Sequence, residues 1–208
     1  MKYSERPAVG IDYDGTIADT NALKAAWIRR NLNLEVPPWK TDRTMCVPII
    51  GLEQYERMSR EVYSPEVSMQ AQEVPGARAA IRALSTRYRV YVVTARNSQQ
   101  IASSQAWLAK MGLSDYIEGH LSSAQRAPDG SRISKSQLCQ DYNIRVLIDD
   151  DERHLRGVRA AGKQRHFRLR CILLKNGCDE DLALPEGIEL ASSWAEVTRL
   201  LGIQGEGI

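Results

Sequence analysis

The sequence predicts an α/β fold in which helices cover a mostly parallel sheet. Short apolar runs of strand length alternate with longer segments whose apolar residues recur at helical spacing. This alternation is typical of strands that are joined by crossover helices, which produces a parallel sheet. The run Tyr91-Val92-Val93 is β-branched and aromatic, as a buried central strand should be. The five predicted strands are residues 8–12, 89–94, 117–121, 145–149 and 171–174.

Helical patterns fill the spaces between these strands. Pro75 and Gly76 open a segment whose apolar residues follow one face of a helix. Residues 98–111 form a second helical segment. Ser193 and Glu196 have the spacing of a capping box at the start of a third helix. We expect these helices to cover the sheet.

Residues 21–74 interrupt the alternation. The segment has no convincing strand, and residues 22–32 and 52–62 have helical patterns. An insertion of this length directly after the first strand is too long for an ordinary loop. We interpret it as a small helical cap over a site, so that residues 1–20 and 75–208 form the core and residues 21–74 the cap.

Charge and composition restrict the function classes. A formal net charge of +2 over 208 residues gives no whole-chain argument for a nucleic-acid or membrane partner. The basic run 163–170 is interpreted as a solvated edge, with a partner or substrate patch as the alternative. The four cysteines form no CxxC pair, and no apolar stretch resembles a signal peptide or a membrane span. We expect a cytoplasmic protein.

Two acids follow the first predicted strand, where the chain enters a glycine turn. A position at the end of a strand aims Asp12 at the crevice above the sheet, where it could act as a nucleophile and form an aspartyl-phosphate. Asp14 is placed to act as general acid and base. Gly15 permits the turn, and Thr16 can hydrogen-bond within it. An Asx-turn that merely ends a strand is the alternative interpretation.

Thr94 closes the second predicted strand. Its hydroxyl group and the exposed backbone N–H groups beside it could hold phosphoryl oxygens. Ordinary capping of a strand end is the alternative. Arg96, two residues later, is expected to face either substrate or solvent.

Lys135 stands at the predicted start of a helix, directly after the N-cap candidate Ser134. The helix dipole disfavours a cation at that end, and an anionic ligand would resolve the conflict. A lysine on an exposed first turn is the alternative, and Arg132 is the competing basic residue.

Three consecutive acids, Asp149, Asp150 and Asp151, follow the fourth predicted strand. Such a run is costly without a cation or basic partners, and carboxylates near a phosphate suit Mg²⁺. The acidic first turn of a helix over residues 152–161 is the alternative. That interpretation explains Asp151 better than it explains the two acids at the strand end.

Four features of the chain, in this order, resemble the motifs of the haloacid dehalogenase (HAD) superfamily. They are the Asp-x-Asp-Gly-Thr run at 12–16, the strand-end Thr94, Lys135 and the Asp-Asp pair at 149–150. The resemblance covers residues 8–174. It implies a three-layer, Rossmann-like (HAD-like) core with a small helical cap of the C1 type.

The resemblance also implies roles for the motif residues. It implies that Asp12, the main-chain carbonyl of Asp14 and Asp150 bind Mg²⁺, and that Asp149 orients the metal shell or Lys135. Thr94 and Lys135 would then neutralise the transferring phosphoryl group, which is usually the largest catalytic contribution in phosphoryl transfer.

The acid at Asp14 favours one reaction class within the superfamily. Dehalogenase members lack an acid at this position, and the transporting ATPases carry Asp-Lys-Thr-Gly-Thr together with membrane spans. The sequence therefore predicts a Mg²⁺-dependent phosphomonoesterase for a small soluble ester, with a nucleoside monophosphate as a candidate. Four short segments resemble the deoxyribonucleotidase-like branch of the superfamily: residues 74–76, 94–96, 147–150 and 192–194. The segment 113–135, in contrast, is longer and more polar than that branch suggests.

Cap residues are candidates for contacting the substrate. Trp27 and Trp39, together with Tyr55 and Tyr63, could stack on a nucleobase, or they could form the core of the cap. Lys40 could meet a second anionic group, or it could belong to a solvated face. Arg96 joins Trp27, Trp39 and Lys40 as a predicted substrate-binding residue.

Three other functions stay open. The ester could be a sugar phosphate or a pathway-specific metabolite, or the protein could process nucleic-acid ends through the basic run 163–170. A non-catalytic HAD protein that binds a phosphoester or a partner is the third. The oligomeric state is not predicted.

Overall fold

A six-stranded parallel sheet forms the centre of the structure, a computed structural model that describes residues 6–126, 130–131, 133–157 and 169–203. The strand order is β3–β2–β1–β4–β5–β6, and every neighbouring pair is parallel. The strands are β1 (Ala8–Ile11), β2 (Arg89–Thr94), β3 (Gly119–Ser122), β4 (Ile144–Asp149), β5 (Arg170–Leu174) and β6 (Ile188–Ala191). The predicted α/β class with a parallel sheet is confirmed.

Nine helices accompany the sheet in the described ranges. In chain order they are α1 (Thr20–Leu32), α2 (Arg43–Ile50), α3 (Leu52–Val62), α4 (Pro65–Ser68), α5 (Ala77–Ser85), α6 (Ser98–Lys110), α7 (Lys135–Asp141), α8 (residues 152–157) and α9 (Trp194–Leu200). Short 3₁₀ turns lie at Pro38–Lys40 and Ser114–Tyr116.

The two faces of the sheet bury separate apolar cores, which follows from the alternation of side chains along a strand. Val90 and Val92 pack with α5, α6 and α9 on one face. Tyr91 and Val93, which alternate with these valines along β2, pack with α7 and with Leu155 of α8 on the opposite face of the sheet. The structure therefore has three layers, with helices on both sides of the sheet.

Four strands differ from their predicted boundaries, and a sixth strand was not predicted. β4 and β5 each begin one residue earlier than predicted, at Ile144 and Arg170. β1 ends at Ile11, so Asp12 is the first residue beyond it. β3 lies two residues later than predicted at its start and one residue later at its end. β6 was not predicted, because this short edge strand has half-buried residues at its centre and lacks a continuous apolar run. One of them, Glu189, pairs with Arg170 of β5 at 2.6 Å.

Residues 20–68, which we name the helical insertion, contain α1 to α4. They bury a cluster of their own that includes Trp27, Ile28 and Met58. α1 begins two residues before the predicted helix, because Asp19 accepts a hydrogen bond from the Ala22 N–H and caps it. α2 was not predicted. The division of the chain into core and cap at residues 20 and 75 remains a prediction.

None of the helices in the described ranges combines the length and the apolar character that a membrane crossing requires. The predicted helix 152–161 is described only to residue 157. Arg132 and most of the basic run 163–170 lie outside the described residues.

Candidate active site

The carboxyl ends of β1 and β4 bring three aspartates together. Asp12 follows β1, and Asp149 and Asp150 stand at the end of β4. The two strands are neighbours at the point where the strand order reverses, which is where parallel sheets form ligand crevices. All three residues are buried, and each can place one carboxylate oxygen within 4.8 Å of the other two.

Lys135 is the lysine that contacts this cluster. Its Nζ lies 2.7 Å from Asp12 Oδ1 and 2.6 Å from Asp149 Oδ2. Ser134 caps the start of α7, so Lys135 is the first residue of that helix, as predicted. Burial alone would lower the pKa of Lys135, but Asp12 and Asp149 raise it above its ordinary value. Two carboxylates of the chain itself therefore offset the unfavourable position of this cation in the helix dipole.

The three carboxyl groups differ in their pKa values. Burial raises the pKa of Asp12 to about 8 despite Lys135, and Asp149 and Asp150 add to the rise. Burial and the neighbouring Asp149 also raise the pKa of Asp150 to about 6. Burial acts in the same direction on Asp149, but Lys135 and His154 hold its pKa well below its usual range. Asp149 is thus the member of the cluster whose ionised form the surroundings favour most.

Asp149 is engaged on both oxygens. Oδ2 accepts the hydrogen bond from Lys135, and Oδ1 accepts one from the Asp151 N–H at 2.9 Å. His154 Nδ1 lies 3.1 Å from each oxygen. This arrangement fits a carboxylate that orients Lys135, one of the two roles that the sequence left open.

Asp12 and Asp150 each use only one carboxylate oxygen in the hydrogen bonds of the described residues. Asp12 Oδ1 faces Lys135, and Asp150 Oδ2 accepts a hydrogen bond from Asn21 Nδ2 at 2.7 Å. Within the described residues, Asp12 Oδ2 and Asp150 Oδ1 accept no hydrogen bond. Carboxylate oxygens are hard ligands of the kind that Mg²⁺ prefers, so these two residues could hold the ion.

Gly15 allows the chain to pass close to this carboxylate cluster. Its φ is +74°, and a Cβ atom there would stand 2.3 Å from Asp150 Oδ2 and 2.3 Å from Asn21 Nδ2. The glycine in the motif is therefore required both by the backbone conformation and by the lack of space.

Asp14 is paired with Arg96. The guanidinium group donates from Nε and from one terminal nitrogen to the two Asp14 oxygens, both at 2.8 Å. It also lies 4.5 Å from the centre of the Tyr13 ring. The Arg96 N–H donates to Thr94 Oγ1 at 3.2 Å. Arg96 therefore faces the site rather than solvent, and it positions Asp14.

A cavity of about 310 Å³ opens between the strand ends and the helical insertion. The sheet side contributes Asp12, Asp14, Thr94, Arg96, Asp150 and His154. The helical insertion contributes Lys24, Tyr55, Ser59 and Tyr63, with Arg43 from its α2. The predicted catalytic residues Asp12, Asp14 and Thr94 share this cavity, and Lys135 lies directly behind Asp12.

Comparison with solved structures finds the same architecture in hydrolases. The HAD-hydrolase YfnB from Bacillus subtilis, bound to magnesium, has a TM-score of 0.60 at 16% identity, over 96% of this chain and 100% of that chain. A predicted phosphoglycolate phosphatase from Haemophilus somnus has a TM-score of 0.58 at 16% identity, over 95% and 99%. The L-2-haloacid dehalogenase from Xanthobacter autotrophicus has a TM-score of 0.56 at 10% identity, over 95% and 98%. The chain has the HAD-like fold.

At these low sequence identities, the comparisons establish the HAD-like fold and do not establish a subfamily or an activity. No family model matches the chain, and no curated protein sequence matches it significantly. The C1 type of the cap and the deoxyribonucleotidase-like branch remain predictions.

Three predicted substrate-binding residues lie away from the cavity of the HAD-like core. Trp27 is buried in the core of the helical insertion, where its Nε1 donates to Glu61 Oε2 at 2.7 Å. Trp39 lines a second cavity of about 430 Å³. Lys40 lies over the Trp39 ring and pairs with Glu180 at 2.6 Å. Trp27 therefore lies in the core of the helical insertion, and Trp39 and Lys40 do not line the cavity that contains Asp12. Their role in substrate binding remains a prediction.

Sequence reasoning missed Asn21 and His154. Asn21 reaches Asp150 across 129 positions of sequence, so no local pattern connects the two residues. His154 follows Asp149 by five positions on the next helix, and a search for polar residues on the first turn after the strand could have found it. Lys24 and Ser59 also line the cavity, and in the sequence each looks like an ordinary polar residue of a helix.

Proposed function

We propose that the protein is a Mg²⁺-dependent phosphomonoesterase that acts on a small soluble phosphate ester in the cytoplasm. One observation carries the proposal: Asp12 lies between Lys135 and Asp150 at the strand ends, with Asp14 facing the same cavity. A nucleophile, an acid, a cation and a pair of metal ligands are the components that phosphoryl transfer requires.

In the first step, an Asp12 oxygen attacks phosphorus and the bond to the leaving oxygen breaks. Asp14 gives a proton to that oxygen, so that an alcohol departs and an aspartyl-phosphate remains. In the second step, Asp14 takes a proton from water while the water oxygen attacks phosphorus. Inorganic phosphate leaves, and the Asp12 carboxylate is restored. Since Arg96 holds both Asp14 oxygens, we place these steps after Asp14 has turned towards the ester.

Charge stabilisation would come from groups around the phosphoryl position. Lys135 beside Asp12 offsets negative charge that builds up in the transition state, and the Thr94 hydroxyl faces the same space. Mg²⁺, when held by Asp12 and Asp150, would supply further positive charge and keep the ionised form of Asp12. The Asp14 main-chain carbonyl remains a proposed third ligand.

Asp14 favours a phosphatase over a dehalogenase. Displacement of halide needs no acid for the leaving group, whereas an alkoxide leaving group does. The proteins that share the fold include both a predicted phosphatase and a dehalogenase, so the fold alone does not choose between these reactions. With Trp27 and Trp39 outside the cavity, a nucleobase could stack only on Tyr55 or Tyr63 among the predicted aromatic residues.

The test is phosphate release from nucleoside monophosphates, sugar phosphates and phosphorylated carboxylic acids, with Mg²⁺ and with EDTA. We expect release that requires Mg²⁺ and falls to background in Asp12→Asn. Asp115→Asn is the matched control, because this carboxylate is exposed and does not line the cavity. Release that survives Asp12→Asn, or no release from any ester by folded protein, would refute the proposal.

A further inference from the structure

His154 is a cavity residue that the proposed reaction does not use. It lies on the first turn of α8, and its side chain is 31% exposed, whereas the Asp149 side chain that it contacts is fully buried. Its Nδ1 lies 3.1 Å from each oxygen of Asp149. An atom at equal distances from the two oxygens lies midway between them. One edge of the ring therefore faces the Asp149 carboxylate, and the rest of the ring lines the cavity.

The direction of this hydrogen bond follows from the charge of Asp149. Burial opposes the ionised form of this carboxyl group, but Lys135 holds its pKa well below its usual range. An ionised carboxylate can only accept hydrogen bonds. Nδ1 of His154 must therefore carry a proton, whether the ring is neutral or charged. The contact does not depend on a change in the charge of His154.

The backbone between β4 and α8 places His154 against Asp149. The Asp151 N–H donates to Asp149 Oδ1 at 2.9 Å, and the Arg153 N–H donates to Asp151 Oδ1 at 3.0 Å. The His154 N–H then donates to the Asp151 carbonyl at 3.1 Å. The side chain of Asp151 pairs with Arg153 rather than with the cluster. These local hydrogen bonds fix the turn, so the imidazole is held at a set distance from the carboxylate.

Four side chains form a row of contacts that ends at the proposed nucleophile: His154, Asp149, Lys135 and Asp12. Asp149 Oδ2 lies 2.6 Å from Lys135 Nζ, which lies 2.7 Å from Asp12 Oδ1. Donors and acceptors alternate along the row, so each group fixes the orientation of the next. Without the imidazole, the group midway between the two Asp149 oxygens is missing. The carboxylate can then turn about its Cβ–Cγ bond and shift Lys135 away from Asp12.

We propose that His154 is a positioning residue, which acts through Asp149 to hold the Lys135 ammonium group in place beside Asp12. A charged group stabilises a transition state best when it is fixed in advance, because no reorganisation is then needed during the reaction. In metal sites, loss of a residue that orients another through a hydrogen bond typically changes activity about 10–100-fold. This inference rests on the proposed phosphatase function and adds a residue to its site.

Three substitutions separate the two nitrogens of the imidazole. His154→Asn places an amide nitrogen where Nδ1 was and keeps the hydrogen bond to Asp149. His154→Gln places its amide nitrogen where Nε2 was, and His154→Phe keeps a ring with neither donor. His154→Phe and His154→Gln should lower kcat about 10–100-fold with little change in KM, whereas His154→Asn should stay within about 3-fold of the wild type.

A spectroscopic measurement follows Lys135 without any turnover. In protein labelled with ¹⁵N-lysine, the ammonium signal of a buried, hydrogen-bonded lysine can be observed by NMR, and Lys135→Arg identifies the signal of Lys135. The signal should shift or broaden in His154→Phe and in His154→Gln, and it should stay in place in His154→Asn. Urea unfolding shows which variants are folded, and His154→Gln provides the comparison should His154→Phe fail to fold.

His120→Asn is the matched control, because this histidine lies on β3 and does not line the cavity. It should change neither kcat nor the Lys135 signal.

Several results would overturn the inference. A kcat within about 3-fold of the wild type in folded His154→Phe would show that Lys135 needs no support from His154. Loss of activity in His154→Asn, with activity kept in His154→Gln, would assign the role to Nε2 in direct contact with substrate. An unchanged Lys135 signal in His154→Phe, despite a lower kcat, would break the link through Asp149. If the wild type hydrolyses no ester, the proposed function fails, and the Lys135 signal still decides whether His154 positions this lysine.

Discussion

Replacing Lys135 by methionine removes the ammonium group that contacts both Asp12 and Asp149. Methionine has a similar length and apolar stem, so the change tests the charge more than the packing. In the variant, the buried carboxylates Asp12, Asp149 and Asp150 face one another, with His154 still beside Asp149 and the charges of Lys24 and Lys175 still acting on Asp150. We expect the metal-free variant to be strongly destabilised.

Burial sets the size of the effect. Removal of one partner from a buried ion pair costs about 3–5 kcal/mol, whereas an exposed pair contributes about 0.2–1 kcal/mol. The Lys40–Glu180 pair has the same short contact of 2.6 Å, but Glu180 is 50% exposed. Lys40→Met is therefore a matched control, and it should lose less than about 1 kcal/mol.

The assay is urea unfolding in EDTA, followed by fluorescence of the four tryptophans, all of which are buried. Mg²⁺ should restore more stability to Lys135→Met than to the wild type, because the variant lacks the cation that offsets its carboxylates. Saturation at 100 times Kd contributes about 2.7 kcal/mol. A loss as small as that of Lys40→Met, or no extra response to Mg²⁺, would refute the assignment of Lys135 as the counter-ion of the cluster.

Three further predictions concern the same site. Gly15→Ala should cost about 1–3 kcal/mol and weaken Mg²⁺ binding, because its Cβ would stand 2.3 Å from Asp150 Oδ2. Gly177→Ala has the same φ of +74° with open space, so it should cost only the backbone strain; equal losses in urea unfolding would contradict the steric reasoning. Asp14→Asn should lower kcat by about 10²–10⁴-fold with Mg²⁺ affinity unchanged, and a kcat near wild type would remove Asp14 from the acid–base role. In the absence of metal, Asp12 and Asp150 have raised pKa values, so the folded state binds their protons more tightly than the unfolded state does. The protonated groups therefore stabilise the fold at low pH, and this contribution is lost as the pH rises towards about 8. The Tm in EDTA should therefore fall between about pH 5 and pH 8, and Mg²⁺ should oppose the fall; a Tm that rises over this range would contradict it.

The sequence was sufficient for features that depend on local chemistry. Asp12, Thr94 and Asp149 follow apolar runs, and parallel strands bring their carboxyl ends to one edge. Lys135 was recognised because a cation at a helix start conflicts with the dipole. The structure identified two carboxylates of the chain, rather than an external ligand, as the groups that resolve this conflict.

Contacts between distant segments could not be predicted. The bond from Asn21 to Asp150 and the approach of Lys24 to the cavity depend on how α1 packs above the sheet. The position of Trp27 could not be predicted for a related reason: a tryptophan on a helix suits either a ligand or a core, and its burial in the helical insertion depends on how α1 packs against α3. β6 was missed because only the two end residues of this short edge strand are buried, which leaves no continuous apolar run to recognise.

The most direct test of the central claim is to detect the phosphoryl group on Asp12. Asp14→Asn protein, which lacks the base for the second step, would be mixed with Mg²⁺ and p-nitrophenyl phosphate, whose leaving group needs no acid. The reaction would then be stopped with acid, and the peptides analysed by mass spectrometry. The account predicts one phosphoryl group on the peptide that contains Asp12, absent without Mg²⁺ and absent in a variant that also carries Asp12→Asn. Release of nitrophenol with no modified Asp12, or a phosphoryl group on another residue, would contradict it.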